Sequence, residues 1–211
     1  MKLEVVVVDD HEMVRDGLIR LLTIQGQYKV TASLDSAEAL YETLKDHTPD
    51  IIIMDLSMAG MGGAEAVKRM MIKWPELKII IFSIYKNQRL ARHLFKLGAK
   101  AFVTKSSKSE VVVEAINKVM AGDRFASPDL AIDINEIDVD QDALASLSSK
   151  EFDILCFIGE GLTTQQISEK MFLSSKTIAN NISIIKKKLG VVNTTELIHL
   201  AIKEGLVIVD F

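Results

Sequence analysis

Five short, mostly apolar runs, at 3–8, 28–34, 51–54, 77–82 and 100–103, punctuate the first half of the chain, and the segments between them carry apolar residues at helical spacing. Short apolar runs of this kind read as strands buried in a parallel sheet. The first intervening helix places Val14, Leu18, Leu21 and Leu22 on one stripe, and the last places Val111, Ala115, Ile116 and Val119 on another; both stripes are core faces. Five βα units joined by right-handed crossovers give an open, doubly wound α/β sheet. Gly122 is placed to close the last of these helices. Beyond Ala145 the strand pattern is gone, and four helices are predicted at about 148–160, 163–171, 175–189 and 194–204. Gly161 and Thr163-Thr164 break the first pair, Ser174 is a natural N-cap for the third, and Gly190 ends it.

Polar groups sit where the apolar runs stop. Asp9 and Asp10 follow the first run, Asp55 the third, Ser83 the fourth and Lys105 the fifth. The crevice at the carboxyl ends of the strands is where open α/β sheets bind ligands, so three carboxylates, a hydroxyl and an ammonium converge on one small site. Such a group suits Mg2+, which accepts one or two carboxylates plus phosphoryl oxygens, with Asp10, Asp55 and a nearby backbone carbonyl as the protein's share. Crowded carboxylates are strained until a cation joins them, and the cation then screens an incoming phosphoryl donor. Asp55 can attack phosphorus as a nucleophile, while Lys105 pairs with the transferred group and Ser83 donates to one of its oxygens. Taken singly, each residue has a plainer reading, an Asp as helix cap or a Lys as solvated charge. Their joint order favours the site.

These residues lie in the words VVVVDDH at 5–11, IIIMDLSM at 51–58, IIIFS at 79–83 and GAKAFVTK at 98–105. Residues 1–122 resemble the receiver domain of a two-component response regulator, and the whole chain resembles the subfamily that joins such a receiver to a LuxR-type helix-turn-helix. The resemblance implies a flavodoxin-like strand order, Asp55 as phosphoacceptor, and a magnesium site of Asp9, Asp10, Asp55 and the carbonyl of Ser57. It also implies that Ser83 and Phe102 reorient on phosphorylation, Phe102 turning inward, with Lys105 as the phosphate-pairing lysine. The implied partners are a sensor histidine kinase and promoter DNA, bound by a homodimer, and the only chemistry implied is the receiver's own phosphorylation and dephosphorylation. Where the family usually has Met-Pro after the acceptor strand, this chain has Met58-Ala59 and then Gly60, Gly62 and Gly63. Alanine and glycine leave a loop looser than proline does.

At 211 residues with 48% hydrophobic content the chain has room for two ordinary domains. No apolar run approaches the ~20 residues of a membrane span, and acids directly after the first apolar run argue against a secretory signal, so a cytoplasmic location is expected. The single cysteine, Cys156, cannot form an internal disulfide and sits between Leu155 and Phe157 as a buried structural thiol. His11, His47, His93 and His199 have no metal-ligand spacing. Residues 123–145 form an acidic linker: the stretch from Ser127 to Ser146 holds six acids and no Lys or Arg. It is either a solvated connector or a strap over the basic end of an output helix.

The output domain, residues 146–211, carries the helix at 175–189 with Ile178, Ile182, Ile185 and Leu189 on its inner stripe. The opposite face shows Lys176, Thr177, Ala179, Asn180, Ser183, Lys186 and Lys187. A helix of this kind can enter a major groove, with amide groups reading base edges and lysines holding phosphates. The words LSSKEFDIL, GLTTQQISEKMFLSSKTIANNISIIKKKLGV and TTELIHLAIKEGL resemble the LuxR-type four-helix domain, whose recognition helix falls on 175–189. Two positions depart from that pattern, Ala179 where a basic residue is common and Asn181 where a histidine or tyrosine is common. The domain also holds seven Lys against seven Asp or Glu, so a single copy should bind DNA poorly and pairing on a two-fold site should be needed. Leu197, Leu200 and Ala201 on the last helix are the expected pairing contact. A phosphorylation-dependent protein-interaction adaptor, or an aspartyl-phosphate phosphatase, are the competing readings.

Overall fold

The structure is a computed structural model that describes residues 2–132 and 143–206. The receiver runs β1 (Leu3–Val8), α1 (Glu12–Gln25), β2 (Tyr28–Leu34), α2 (Ala37–Asp46), β3 (Ile51–Met54), α3 (Gly63–Lys73), β4 (Ile79–Ser83), α4 (Gln88–Leu97), β5 (Ala101–Thr104) and α5 (Ser109–Met120). The output domain follows as α6 (Ser149–Gly159), α7 (Thr164–Lys170), α8 (Ser175–Leu189) and α9 (Thr194–Lys203).

The strands pair in the order β2-β1-β3-β4-β5-β6, and every pair is parallel. The sixth strand, β6 (Phe125–Ala126), departs from the five-unit expectation. Chain that reads as acidic linker turns back onto the free edge of β5, with the Phe125 N–H donating to the Lys100 carbonyl and the Ser127 N–H to that of Phe102. Burial of Phe125, and of Leu130 on the short 3-10 turn Pro128–Leu130, fixes the segment there. The receiver fold therefore extends to about residue 130. The rest of the expected linker, 133–142, lies outside the described residues.

Alternate strand residues feed two apolar clusters. Val5, Val7, Ile51, Ile53 and Ile80 face α1 and α5 through Leu18, Leu22, Ala115 and Ile116. Val6, Val8, Ile52, Met54 and Ile79 face α2, α3 and α4 through Leu40, Val67, Met70 and Leu94. This second cluster continues into the output domain through Phe152, Leu155, Ile158, Ile178 and Leu197. The junction is α6, buried on most of its surface, with the polar Ser149, Glu151 and Asp153 among its covered residues. One side packs on α8 and α9 and the other on α3.

The contact between domains needs the glycines after β3. A Cβ on Gly62 would stand 2.1 Å from Asp153 Oδ2, and one on Gly63 2.6 Å from the Leu56 carbonyl oxygen. Asp153 on α6 accepts hydrogen bonds from the Ala64 and Glu65 N–H groups at the start of α3, both at 3.2 Å. The Gly60 N–H donates to the Lys170 carbonyl at 2.6 Å. The expectation of a loose loop fails here, because the output domain pins the segment that proline would otherwise have stiffened. Phe152 completes the contact by stacking on His93, ring centroids 4.4 Å apart.

Candidate functional site

Asp9, Asp55 and Ser83 are buried at the carboxyl ends of β1, β3 and β4, while Asp10 stays exposed on the rim. Lys105 follows β5 and reaches across, its Nζ 2.7 Å from Asp9 Oδ2 and 3.2 Å from Asp55 Oδ2. Among the described residues the Lys105 ammonium is what meets those two buried oxygens, which leaves each with acceptor capacity to spare. Asp55 Oδ1 accepts the Leu56 N–H at 2.8 Å. Burial pushes the Asp55 carboxyl up, Lys105 opposes that and Asp9 adds to it. Donor atoms of Asp9, Asp10, His11 and Asp55 all lie within 4.8 Å of one another. An oxygen-rich cluster of carboxylates, two of them buried, fits a hard divalent cation.

His11 is a member that sequence spacing did not single out. Its Nδ1 lies 2.8 Å from Asp10 Oδ1 and 3.2 Å from Asp9 Oδ1, and its N–H donates to Asp9 Oδ1 at 2.9 Å. Direct adjacency to Asp9-Asp10 was the available signal. Arg15, one turn along α1, holds the Asp9 carbonyl at 2.5 Å.

Ser83 Oγ accepts the Tyr85 N–H at 3.3 Å, a local turn that closes the start of the β4–α4 connection. Phe102 is buried here, only 1% exposed: Ala126 of the sixth strand pairs with it in the sheet, and Leu130 joins the same apolar cluster.

On α8, Ile178, Ile182 and Ile185 are buried, and Lys176, Ala179, Asn180, Ser183 and Lys187 are exposed, so the receiver leaves this face open. Thr177 and Lys186 are half-buried. The Thr177 hydroxyl is taken up at 2.8 Å by Ser174, whose side chain caps the helix. Lys188 turns back to Glu151 at 2.6 Å and to the Ser146 carbonyl at 2.9 Å, which removes one lysine from the basic end. The expected pairing contact on α9 is revised too, since Leu197 and Ala201 are fully buried and α9 packs on α6. Of the three residues only Leu200 keeps surface.

A parallel α/β sheet with an acid–lysine crevice, joined to a capped helix-turn-helix whose outer face is open, defines a phosphoacceptor regulator with a DNA-binding-type output domain. Residues 5–117 match the family model "Response regulator receiver domain", and residues 145–201 match "Bacterial regulatory proteins, luxR family". The chain is 32% identical over 209 residues to the response regulator GacA of Pseudomonas aeruginosa, covering 97% of this chain and 98% of that one. It is 31% identical over 214 residues to the oxygen regulatory protein NreC of Staphylococcus carnosus, covering 97% and 99%. Among solved structures, a LuxR-family two-component response regulator from Aurantimonas sp. is 36% identical, with a TM-score of 0.61 over 66% of this chain and 100% of that one. The RcsB response regulator of Salmonella typhimurium matches in fold with a TM-score of 0.76 at 24% identity, covering 97% and 98%. The chain belongs to the response regulators that couple a receiver to a LuxR-type helix-turn-helix. Among the described residues, no helix is long and apolar enough to cross a membrane.

Proposed function

We propose that Asp55 receives a phosphoryl group from a sensor histidine kinase or a small phosphodonor, and that the modified chain, as a homodimer, binds a two-fold promoter site to regulate transcription. The observation that carries this reading is the crevice itself: Asp55, buried at the end of β3, with its Oδ2 3.2 Å from Lys105 Nζ. In the transfer an Asp55 oxygen forms its bond to phosphorus as the bond from phosphorus to the donor's histidine nitrogen breaks, the electron pair leaving with that nitrogen. Lys105 then faces the added charge of about −1.5 to −2 while keeping its pair with Asp9. Asp9, Asp10, Asp55 and the carbonyl of Ser57 would hold Mg2+, which when bound screens the donor's negative charge.

The output face supports DNA as the partner. Lys176 and Lys187 flank Asn180 and Ser183 on an exposed helix, with phosphate-holding groups at its ends and base-reading groups between. The structure of RcsB, a neighbour in fold, has been solved bound to promoter DNA in the presence of a beryllofluoride phosphomimetic. The chain performs no chemistry beyond its own phosphorylation and dephosphorylation on this reading, and acts in the cytoplasm. Incubation with Mg2+ and beryllofluoride, followed by selection from a random DNA pool with Asp55→Asn in parallel, tests it. Enrichment of a two-fold motif by the wild type alone is the expected result. Binding of the mimic with no enriched sequence would redirect the output domain to a protein partner.

A further inference from the structure

The stretch from the end of β4 to the first turn of α4, Ser83 to Arg89, alternates its attachments. Tyr85, Asn87 and Arg89 all reach the output domain. The Tyr85 hydroxyl donates to the Glu160 carboxylate just past α6, Asn87 Nδ2 donates to the Glu204 carbonyl just past α9, and Arg89 pairs with the Glu204 carboxylate. The intervening residues turn the other way: Lys86 lies 3.4 Å from Asp129, and Gln88 Nε2 donates to the Ala131 carbonyl at 3.3 Å. One seven-residue stretch thus clasps the ends of two output helices, α6 and α9, and its first residue carries the hydroxyl of the phosphorylation crevice.

Ser83 Oγ accepts the N–H of Tyr85, the residue whose side chain makes the contact to α6. Tyr85 is itself buried, and burial together with the adjoining Glu160 raises its phenol well above the usual range, so it stays a donor to that carboxylate.

We propose that Tyr85 is the positioning residue that couples the phosphorylation site to the output domain, with Ser83 Oγ as the atom shared between them. When the Ser83 hydroxyl turns to a phosphoryl oxygen on Asp55 it gives up the Tyr85 N–H. The connection then shifts, the Tyr85–Glu160 bond is lost, and the clasps at Asn87 and Arg89 follow. The output domain is released through its rear surface, α6 and the end of α9, while its recognition face is open throughout. This inference rests on Asp55 being the phosphoacceptor.

Cys156 provides the readout, because it is the chain's only cysteine and lines the interdomain cavity with Tyr85, Phe152 and Glu160. Cys156 is half-buried, and burial pushes its thiol well above the ordinary value, so it reacts slowly with thiol reagents while the domains are closed. Wild type, Tyr85→Phe and Asp55→Asn are treated with Mg2+ and a small phosphodonor or left untreated. Intact mass reports phosphorylation, thiol labelling reports local opening, and small-angle scattering reports separation of the domains. Phosphorylation should raise the wild-type labelling rate at least about tenfold, the lower end of what one hydrogen bond to a charged group is worth, and increase the radius of gyration. Untreated Tyr85→Phe should already label and scatter like the phosphorylated wild type while gaining phosphoryl mass at the wild-type rate. If it labels slowly and stays compact although wild type and variant both take the phosphoryl group, the coupling role of Tyr85 is overturned and the site reading stands. If the wild type gains no phosphoryl mass, the site reading falls and the role of Ser83 with it.

Discussion

Gly62 and Asp153 are in such close contact that a single methyl group would not fit between them: a Cβ on Gly62 would sit 2.1 Å from Asp153 Oδ2. Gly62 itself has φ −55 and ψ 150, which any residue adopts, so Gly62→Ala strains no backbone and acts only through the clash. Overpacking of this kind costs about 1–3 kcal/mol, and moving α6 off α3 relieves it. Gly62→Ala should therefore open the molecule with the folds of both domains intact. Scattering should show a larger radius of gyration and circular dichroism an unchanged helix content; a compact variant would mean that Asp153 simply rotates away.

Asp153 also makes closure sensitive to pH. Burial pushes its carboxyl up to about 7 from an ordinary 3.8, Glu65 adding to that effect and the Ala64 and Glu65 N–H groups opposing it. With the domains apart the carboxyl regains water and its ordinary value. The closed form therefore binds the proton more tightly, and closure loses strength as pH rises from about 4 to 7, by at most about 1.4 kcal/mol per unit. Below that window the carboxyl is protonated in both forms and above it ionised in both, so the dependence flattens. The radius of gyration should grow from pH 5.5 to pH 7.5 in the wild type and stay constant in Asp153→Asn. Equal slopes would assign the titration to another group.

The sheet and the crevice were legible in the sequence because each rests on local pattern: apolar runs set the strands, and a polar residue after each run falls at the strand's carboxyl end. Helix ends at Ser174 and Gly190 were equally readable, since caps follow from one side chain or one glycine. What escaped was everything that depends on tertiary pairing. The two-residue strand Phe125–Ala126 is too short for periodicity, and its acidic surroundings read as linker. Glycines 60, 62 and 63 carry no mark that distinguishes a loose loop from a seat for another domain. Leu197 and Ala201 read as surplus apolar residues because the sequence does not show that α6 needs them.

Lys105 holds two buried carboxylates together, and Lys105→Met should expose their repulsion. Breaking a buried ion pair costs ~3–5 kcal/mol; the Lys105 side chain is 14% exposed, so a loss of about 2–3 kcal/mol is expected, or roughly 4–12 °C in Tm for a chain of this size. A cation bound only by the folded state restores stability by mass action. Magnesium should therefore raise the melting temperature of Lys105→Met more than that of the wild type, and chelator should reverse the gain. Identical melting curves with and without Mg2+ for both proteins would count against the Asp9–Asp10–Asp55 cluster as a cation site.

Lys187 and Lys188 are neighbours in sequence with opposite duties. Lys187 is exposed on the outer face of α8, whereas Lys188 bonds to the buried Glu151 and to the Ser146 carbonyl, tying the recognition helix to α6. A lysine that neutralises a phosphate contributes about 0.9 to the slope of log K against log salt, so Lys187→Ala should lower that slope by nearly one per protomer with little change in melting temperature. Lys188→Ala leaves the buried Glu151 without its cation and held by Ser148, which costs about 1–3 kcal/mol of stability and should leave the salt slope alone. Titrating both variants, activated with beryllofluoride, against the selected DNA at several salt concentrations, with melting curves alongside, separates the two duties. A reversed assignment would mean that α8 meets DNA through a face other than Lys176, Asn180, Ser183 and Lys187.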